Sequence, residues 1–486
     1  MMSIELTFLS VFLLLMLAHT WHGARKTDSL SDYLVGGRSL GGVGIALSFF
    51  ATFVSSVTFV GLAGRSWTLG PAWWIVCTVL FTTAVLISWF VIAPRFLEFA
   101  EKYQLLTIPE FLGVRYQSRT LQRISGIVVV VASLVYMTAV YDGAARTLEG
   151  LLKIDSQSVM AVVFIVVTGY TLLGGFHAVV ATDGVQGVML LCGAVTLPIV
   201  MLYRGGGISS VLETIHERAP LALRFSSGLP LLGLIGTALG IALKIIVDPR
   251  LLSRFYGLSS GQQVLRGRWL AVVLLFVTYL FVLPVGLLAH AFVPAGLELQ
   301  ADEVVPWLLS SDGHVLGTIA GSLFLTALVA AAMSSLDSVL LVAAGSIERD
   351  ITTQPDRECD GGSVRRTRIW VFVLSAAAAS LALLRTRGIV ELSSLSGGLY
   401  AVCFLPALIV GLFWQGATKT AAICSLVSGF VTASTWFGLK KVVLGGSVTW
   451  LHEIYVGLLV SMPVFIGVSI LQRRSQSKSG QSDSTL

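Results

Sequence analysis

The chain has 486 residues, of which 55% are hydrophobic and only 12% charged, where a soluble globular domain carries about a quarter charged residues. Water is therefore not its main solvent, and the net charge of +6 is spread over short loops, not gathered into the patch that nucleic acid requires. The 49 glycines lie within long apolar runs, unlike the short alternating segments of a membrane β-barrel, so a bundle of helices in a lipid bilayer remains.

Crossing a hydrocarbon core of about 30 Å takes about 20 residues of helix. About thirteen apolar runs meet that need: 3–21, 42–64, 72–94, 124–148, 158–174, 180–203, 229–247, 269–293, 316–343, 367–384, 390–413, 419–438 and 454–471. The first, centred on Phe8 to Leu17, has no basic stretch before it and carries Arg25 and Lys26 after it, so it reads as a retained helix and not a cleaved signal. The second holds a polar cluster, Thr52, Ser55, Ser56 and Thr58, and the seventh is interrupted by Gly233, Gly236 and Gly240. Broken helices at matching positions of two halves point to a transporter's binding site. If spans two to six form one half and seven to eleven the other, each half has an odd number of helices, so the second is inverted relative to the first.

Between these spans, Thr107-Ile108-Pro109-Glu110 opens a short surface helix in the loop from Arg95 to Arg123. In the connection from Gly205 to Ser227, Ile208, Val211, Leu212 and Ile215 recur at the spacing of an amphipathic helix. Placing the amino terminus outside gives the inner loops a roughly twofold excess of Lys and Arg, which sets the expected orientation: amino terminus out, carboxyl terminus cytoplasmic, in the cell membrane. The polar, serine-rich stretch after Gln472 reads as a disordered tail. The cysteines, Cys77, Cys192, Cys359, Cys403 and Cys424, form no CxxC pair, and the histidines show no HExxH spacing. An enzyme is not expected.

Further motifs stand in order along the chain: Asp32-Tyr33-Leu34-Val35-Gly36-Gly37-Arg38-Ser39-Leu40-Gly41, the Thr107 to Tyr116 loop, Gly174-Gly175-Phe176 with Thr182-Asp183, Asp248-Pro249-Arg250-Leu251-Leu252-Ser253-Arg254-Phe255, Ala331 to Ser338, and Gly411-Leu412-Phe413-Trp414. Taken in that order, they resemble the sodium:solute symporter family, whose members carry proline, pantothenate, sugars, sialic acid and monocarboxylates. The resemblance implies an all-α polytopic fold of the LeuT-like, five-plus-five inverted-repeat type, with one helix in front and two behind. The expected order is then an extra amino-terminal helix and cytoplasmic loop (1–41), a first five-helix repeat (42–204), an external amphipathic connection (205–228), a second repeat (229–413), two further helices (414–471) and the tail (472–486). It also implies symport of sodium with a small organic solute by alternating access, with the bilayer as the other partner and no obligate protein partner evident.

Carried over residue by residue, the resemblance implies a principal sodium site at the carbonyls of Ala51, Val54 and Ala331 and the hydroxyls of Ser334 and Ser335. A second cation site, present in some members, falls on Asp183 and Ser338, with Asp337 beside them. The residues agree with this: a hard cation takes several oxygen ligands, and Ala331, Ser334, Ser335 and Ser338 share one helix face. The alternative is that these small residues only let helices approach closely. Acids within spans, such as Asp183 and Asp337, mark ion paths by default, or else serve as interior hydrogen-bond partners.

For the solute, Ser55 and Thr58 match substrate-contacting positions of relatives. Thr58 and Val57 replace the glutamine and the acid of galactose transporters, which disfavours a sugar. Tyr141 and Tyr400 are candidates for the pocket rim, packing being their alternative. Lys244, aligned on the Asp248 to Arg254 motif, falls where sugar-transporting relatives carry a gating tyrosine. A cation there suits a carboxylate-bearing solute, unless Lys244 snorkels to the interface or pairs with Asp248 one turn on. Asp142 would favour a zwitterion if it faced the same pocket, but it has Arg146 as its own i,i+4 partner. Proton coupling through Asp183 and Asp337, or a transporter-like sensor or channel, are the competing readings.

Overall fold

The computed structural model describes residues 2–25, 29–152, 155–225, 230–294, 296–310, 315, 317–352, 361–384, 388–442 and 451–482. Helix α1 (Met2–Ala24) is followed by the short α2 (Leu30–Val35), whose start is capped by the Ser29 hydroxyl accepting from Asp32 N at 3.1 Å. Helix α3 (Gly42–Phe53) stops at Val54, which is extended at φ −76°, ψ 112°. Helix resumes as a π-helical turn, Val57–Leu62, and runs into α4 (Ala63–Ile87), so the second span is broken at its polar cluster as expected. Inside α4, Gly70 takes φ +66°, a conformation open to glycine and strained for other residues. It divides α4 into two legs, the second continuing through Ser88–Ile92 into α5 (Ala93–Tyr103).

Next come α6 (Ile108–Arg115), α7 (Arg119–Leu152) and α8 (Ser156–Arg204), the last divided in the same way at Gly175, φ +58°. Then follow α9 (Ile208–Arg218), α10 (Leu231–Val247), α11 (Pro249–Tyr256), α12 (Gly261–Val282), α13 (Val285–Ala289) and α14 (Ala301–Leu309). Helix α15 (Gly317–Ser346) ends in a π-helical stretch, Ile347–Thr352. The chain closes with α16 (Gly361–Leu383), α17 (Ile389–Phe404), the single turn α18 (Gly411–Phe413), α19 (Lys419–Val442) and α20 (Glu453–Ser482). Each expected apolar run falls on a described helix, and among the described residues ten helices are long and apolar enough to cross a membrane.

Packing converges on the two broken elements. Helix α3 lies against α8, α12 and α15, while α10 lies against α4 and α17. Helix α15 is wedged between α7 and α8, with α1 covering the outer side of α8 and α15, and α19 and α20 pair on the flank of α17.

Four expectations are corrected. The break in the seventh span is not at its glycines, because α10 is continuous to Val247 and stops at Asp248 (φ −63°, ψ 120°). Asp248 caps α11 by accepting from Arg250 N at 2.9 Å, and Pro249 has no N–H with which to continue α10. The glycines serve close packing: a Cβ at Gly236 would lie 2.5 Å from the Tyr455 ring, and one at Gly397 would lie 3.0 Å from the Gly240 carbonyl. Helix α6 does start at the Thr107 cap, yet it is no surface helix, since Ile108, Phe111 and Leu112 are buried and Glu110 pairs with Arg349 at 2.8 Å. On α9, Val211 and Ile215 face the protein while only Ile208 and Leu212 are exposed.

The stretch after Gln472 is helical to Ser482, because Gln, Arg and Lys favour helix and Arg473 donates to the Gln415 carbonyl at 3.1 Å. Helix α14 was not anticipated; it is too short to cross, and it packs on α4 through an apolar face. Cys77, Cys192, Cys403 and Cys424 are all free thiols, and Cys359 lies outside the described residues.

Candidate functional site

The two breaks meet at a narrow cavity bordered by Phe53, Ser55, Val57 and Thr58 from the first, and Ile241, Lys244 and Arg250 from the second, with Tyr136 of α7 and Ser393 of α17. Its volume is about 20 Å³, room for one water, so a solute must widen it. The Ser55 carbonyl accepts from Thr58 N at 2.9 Å, and the Thr58 hydroxyl accepts from Ser55 N at 3.3 Å, holding the restart of the helix.

Across the cavity stand two cations. Arg250 is bound to Asp248 through Nη2–Oδ2 at 2.6 Å and through Nε at 2.9 and 3.0 Å, so this buried pair is neutral as a unit. Lys244 is buried as well, with Nζ 3.6 Å from the centroid of the Tyr136 ring, and the Arg250 guanidinium lies 4.1 Å from the same ring. Among the described residues neither Lys244 Nζ nor Arg250 Nη1 has a hydrogen-bond partner. Lys244 neither reaches an interface nor pairs with Asp248, because the acid is taken by Arg250.

Tyr141 and Tyr400 do not border this cavity. The Tyr141 hydroxyl is 2.6 Å from Ser375 Oγ, tying α7 to α16, and that of Tyr400 is 2.8 Å from Ser133 Oγ, tying α17 to α7. The aromatic of α7 that borders this cavity is Tyr136, one that the sequence did not single out. Asp142, though buried, is not among the lining residues either.

About one turn deeper on α3, α15 presents its polar face to the break. The Ser334 hydroxyl donates to the Ala51 carbonyl at 2.8 Å and lies 3.2 Å from that of Ala331, while Ser335 Oγ donates to the Thr52 carbonyl at 3.1 Å. Ala51, Ala331, Ser334 and Ser335 are thereby brought together, and Val54 sits at the break itself, fully buried. An oxygen-rich, uncharged cluster of carbonyls and hydroxyls at a helix break is chemistry for a hard monovalent cation.

Asp183, Asp337 and Ser338 form a neighbouring group. Ser48 donates to Asp183 Oδ2 at 2.6 Å, Tyr170 donates to Asp337 Oδ2 at 3.0 Å, and Ser338 Oγ is 3.1 Å from Asp337 Oδ1. Into this group projects Arg254 of α11, a buried residue that sequence reasoning passed over as part of a motif. Its partner acid, Asp183 of α8, lies far away in sequence, and the packing of α3 against both α11 and α8 brings them within reach.

A profile of the sodium:solute symporter family matches residues 33–429. A sodium/proline symporter of Staphylococcus aureus is 30% identical over 476 residues, covering 95% of this chain and 91% of its own length. Another, from S. aureus strain USA300, is 28% identical over 481 residues, covering 96% and 92%. A solved structure of a Na+-coupled sialic acid symporter, 19% identical, superposes with a TM-score of 0.80 over 96% of this chain and 98% of that chain, and so has the same LeuT-like fold.

Proposed function

Because the chain belongs to the sodium:solute symporter family, and is thus a multi-pass membrane carrier coupled to sodium and not an enzyme, we propose that its solute is a small organic acid whose carboxylate is read by Lys244. The observation that carries this reading is the buried ammonium of Lys244, which has the Tyr136 ring beside it but no hydrogen-bond partner at the cavity between the breaks. An isolated charge away from water costs several kcal/mol, and a counter-ion in hydrogen-bond contact offsets that. Arg250 is already neutralised by Asp248, so one positive charge is left for the occupant, which favours a monocarboxylate or a pantothenate-like acid. Ser55 and Thr58 supply hydroxyls for its polar substituents.

Sodium is held in this reading by the carbonyls of Ala51, Val54 and Ala331 and the hydroxyls of Ser334 and Ser335. Its site joins α15 to α3, the helix whose broken end borders the solute cavity. The expected orientation, amino terminus out and carboxyl terminus in, sends solute and sodium inward together.

A second reading is a zwitterionic amino acid, favoured by the sodium/proline symporters among the relatives. Among the described residues no acid lines the cavity, and Asp248, beside it, has both oxygens engaged by Arg250. That leaves the ammonium of an amino acid without a carboxylate, and Lys244 again reads the carboxyl end. The test is uptake by proteoliposomes from a panel of labelled monocarboxylates, pantothenate, proline and sugars, with sodium or choline outside. Sodium-dependent uptake of an acid is expected, and preferred uptake of a solute without a carboxylate overturns the reading.

A further inference from the structure

Helix α1 does not close fully on the bundle. Between it and the first leg of α8, over α15, run two adjoining clefts of about 140 and 500 Å³ that share Leu13, Val166 and Met333. Leu17, Ile165 and Leu173 border the larger one and are exposed, so it opens sideways to hydrocarbon and not to water. On α8, Gly169 lines the same cleft, and a Cβ there would meet nothing within 4 Å. The missing side chain is part of the space. From Leu9 to Trp21 the wall on α1 rises about 18 Å, close to the depth of one leaflet in a hydrocarbon core about 30 Å thick. Polar groups gather at the Trp21 end. Thr20 is buried in the lining, and among the described residues its Oγ1 has no hydrogen-bond partner. Trp21 beside it is exposed, as a tryptophan at headgroup level is, with the Arg25 guanidinium 5.3 Å from its ring centroid and Lys26 next in sequence.

An apolar groove one leaflet long, with an orphan hydroxyl and a cation at one end, is complementary to an amphiphile with an anionic head. We propose that it holds one acyl chain of a phospholipid of net negative charge, with an ester or phosphate oxygen accepting from the Thr20 hydroxyl and Arg25 holding the headgroup. A headgroup oxygen there satisfies a buried donor that the protein leaves unmade. The bound chain packs against Met333, whose carbonyl accepts from the Tyr170 hydroxyl at 3.0 Å. Met333 directly precedes Ser334, so the lipid bears on the stretch of α15 that also faces the first break.

The test titrates the delipidated, purified full-length chain with phosphatidylglycerol or phosphatidylcholine and reads bound lipid by native mass spectrometry. The parent is expected to hold one phosphatidylglycerol per chain, roughly fivefold more tightly than phosphatidylcholine. Gly169→Leu fills the cleft from α8 and should weaken that lipid roughly tenfold, the equivalent of about two buried CH2 groups. Ile165→Trp fills it from an exposed rim position, where folding is not at stake, and should do the same. Gly467→Leu, at an equally open glycine of α20 that borders neither cleft, should change nothing. Arg25→Gln should keep the lipid and erase the preference for phosphatidylglycerol. A folded Gly169→Leu or Ile165→Trp that binds as the parent does, or an equal loss in Gly467→Leu, means annular lipid only and overturns the proposal. Dimers of the parent that Ile165→Trp separates overturn it too, because they place a second copy in the groove. An unchanged preference in Arg25→Gln overturns the assignment of the headgroup.

Discussion

The two helix breaks share a backbone geometry and almost nothing else. Val54 and Asp248 both turn extended at similar angles, ψ 112° and 120°,. The first break is built without charge: its polar atoms are carbonyls and the hydroxyls of Ser55 and Thr58. At the second, Asp248 caps the new helix and three cations, Lys244, Arg250 and Arg254, stand within one or two turns of it. A neutral, oxygen-lined break suits a bare cation from solution, while a charged break suits an anion and fixes its own counter-ions. In the proposed reading, the charged break supplies the solute's counter-ion, while the uncharged one supplies carbonyls to sodium and hydroxyls to the solute.

The sharpest way to break this comparison is to remove charge from one break and polarity from the other. Asp248→Asn leaves Arg250 buried without its acid, a loss of about 3–5 kcal/mol for a broken buried pair. We expect a strongly reduced yield of folded protein and a lowered melting temperature in detergent. Ser55→Ala, at the uncharged break, should shift melting far less. Similar losses at both would mean that the charge is not what holds the second break.

A smaller effect is expected at the proposed sodium site. Ser334→Ala and Ser335→Ala each remove one hydroxyl, and each should raise the sodium concentration for half-maximal uptake roughly tenfold, equivalent to about 1.4 kcal/mol. Membrane insertion should be unaffected. Unchanged sodium dependence in both would remove α15 from the site.

The smallest effect is expected where the sequence pointed to the rim and the structure finds packing. Tyr400→Phe deletes the bond to Ser133, worth about 1 kcal/mol, and should lower melting slightly while leaving half-saturation by solute unchanged. A marked rise in half-saturation would return Tyr400 to the pocket.

The sequence made some of this readable and hid the rest for physical reasons. Ala331, Ser334, Ser335 and Ser338 could be placed on one face because helical spacing is local. The first break announced itself through Thr52, Ser55, Ser56 and Thr58, polar residues with no other reason to gather in a span. The second was misplaced onto Gly236 and Gly240, whose small size is used by Tyr455 and α17, while the true signal, Asp248-Pro249, is a cap and a helix stop. Tyr136 and Tyr141 are five residues apart, so their faces differ by about 140° on a helix. Which one meets the cavity depends on how α7 packs against α15 and α17, information that no local pattern holds. The pairing of Arg254 with Asp183 was hidden for the same reason, as was the part played by Ser48.

The central claim, that Lys244 reads a carboxylate, is tested most directly by half-saturation constants for a transported acid and its uncharged amide, measured in proteoliposomes bearing the parent or Lys244→Gln. A charge-assisted hydrogen bond is worth about 1.5–3 kcal/mol, so the constant for the acid should rise at least roughly tenfold while that for the amide changes by less than about twofold. Equal changes for acid and amide, or a parent that prefers the amide, would contradict the account.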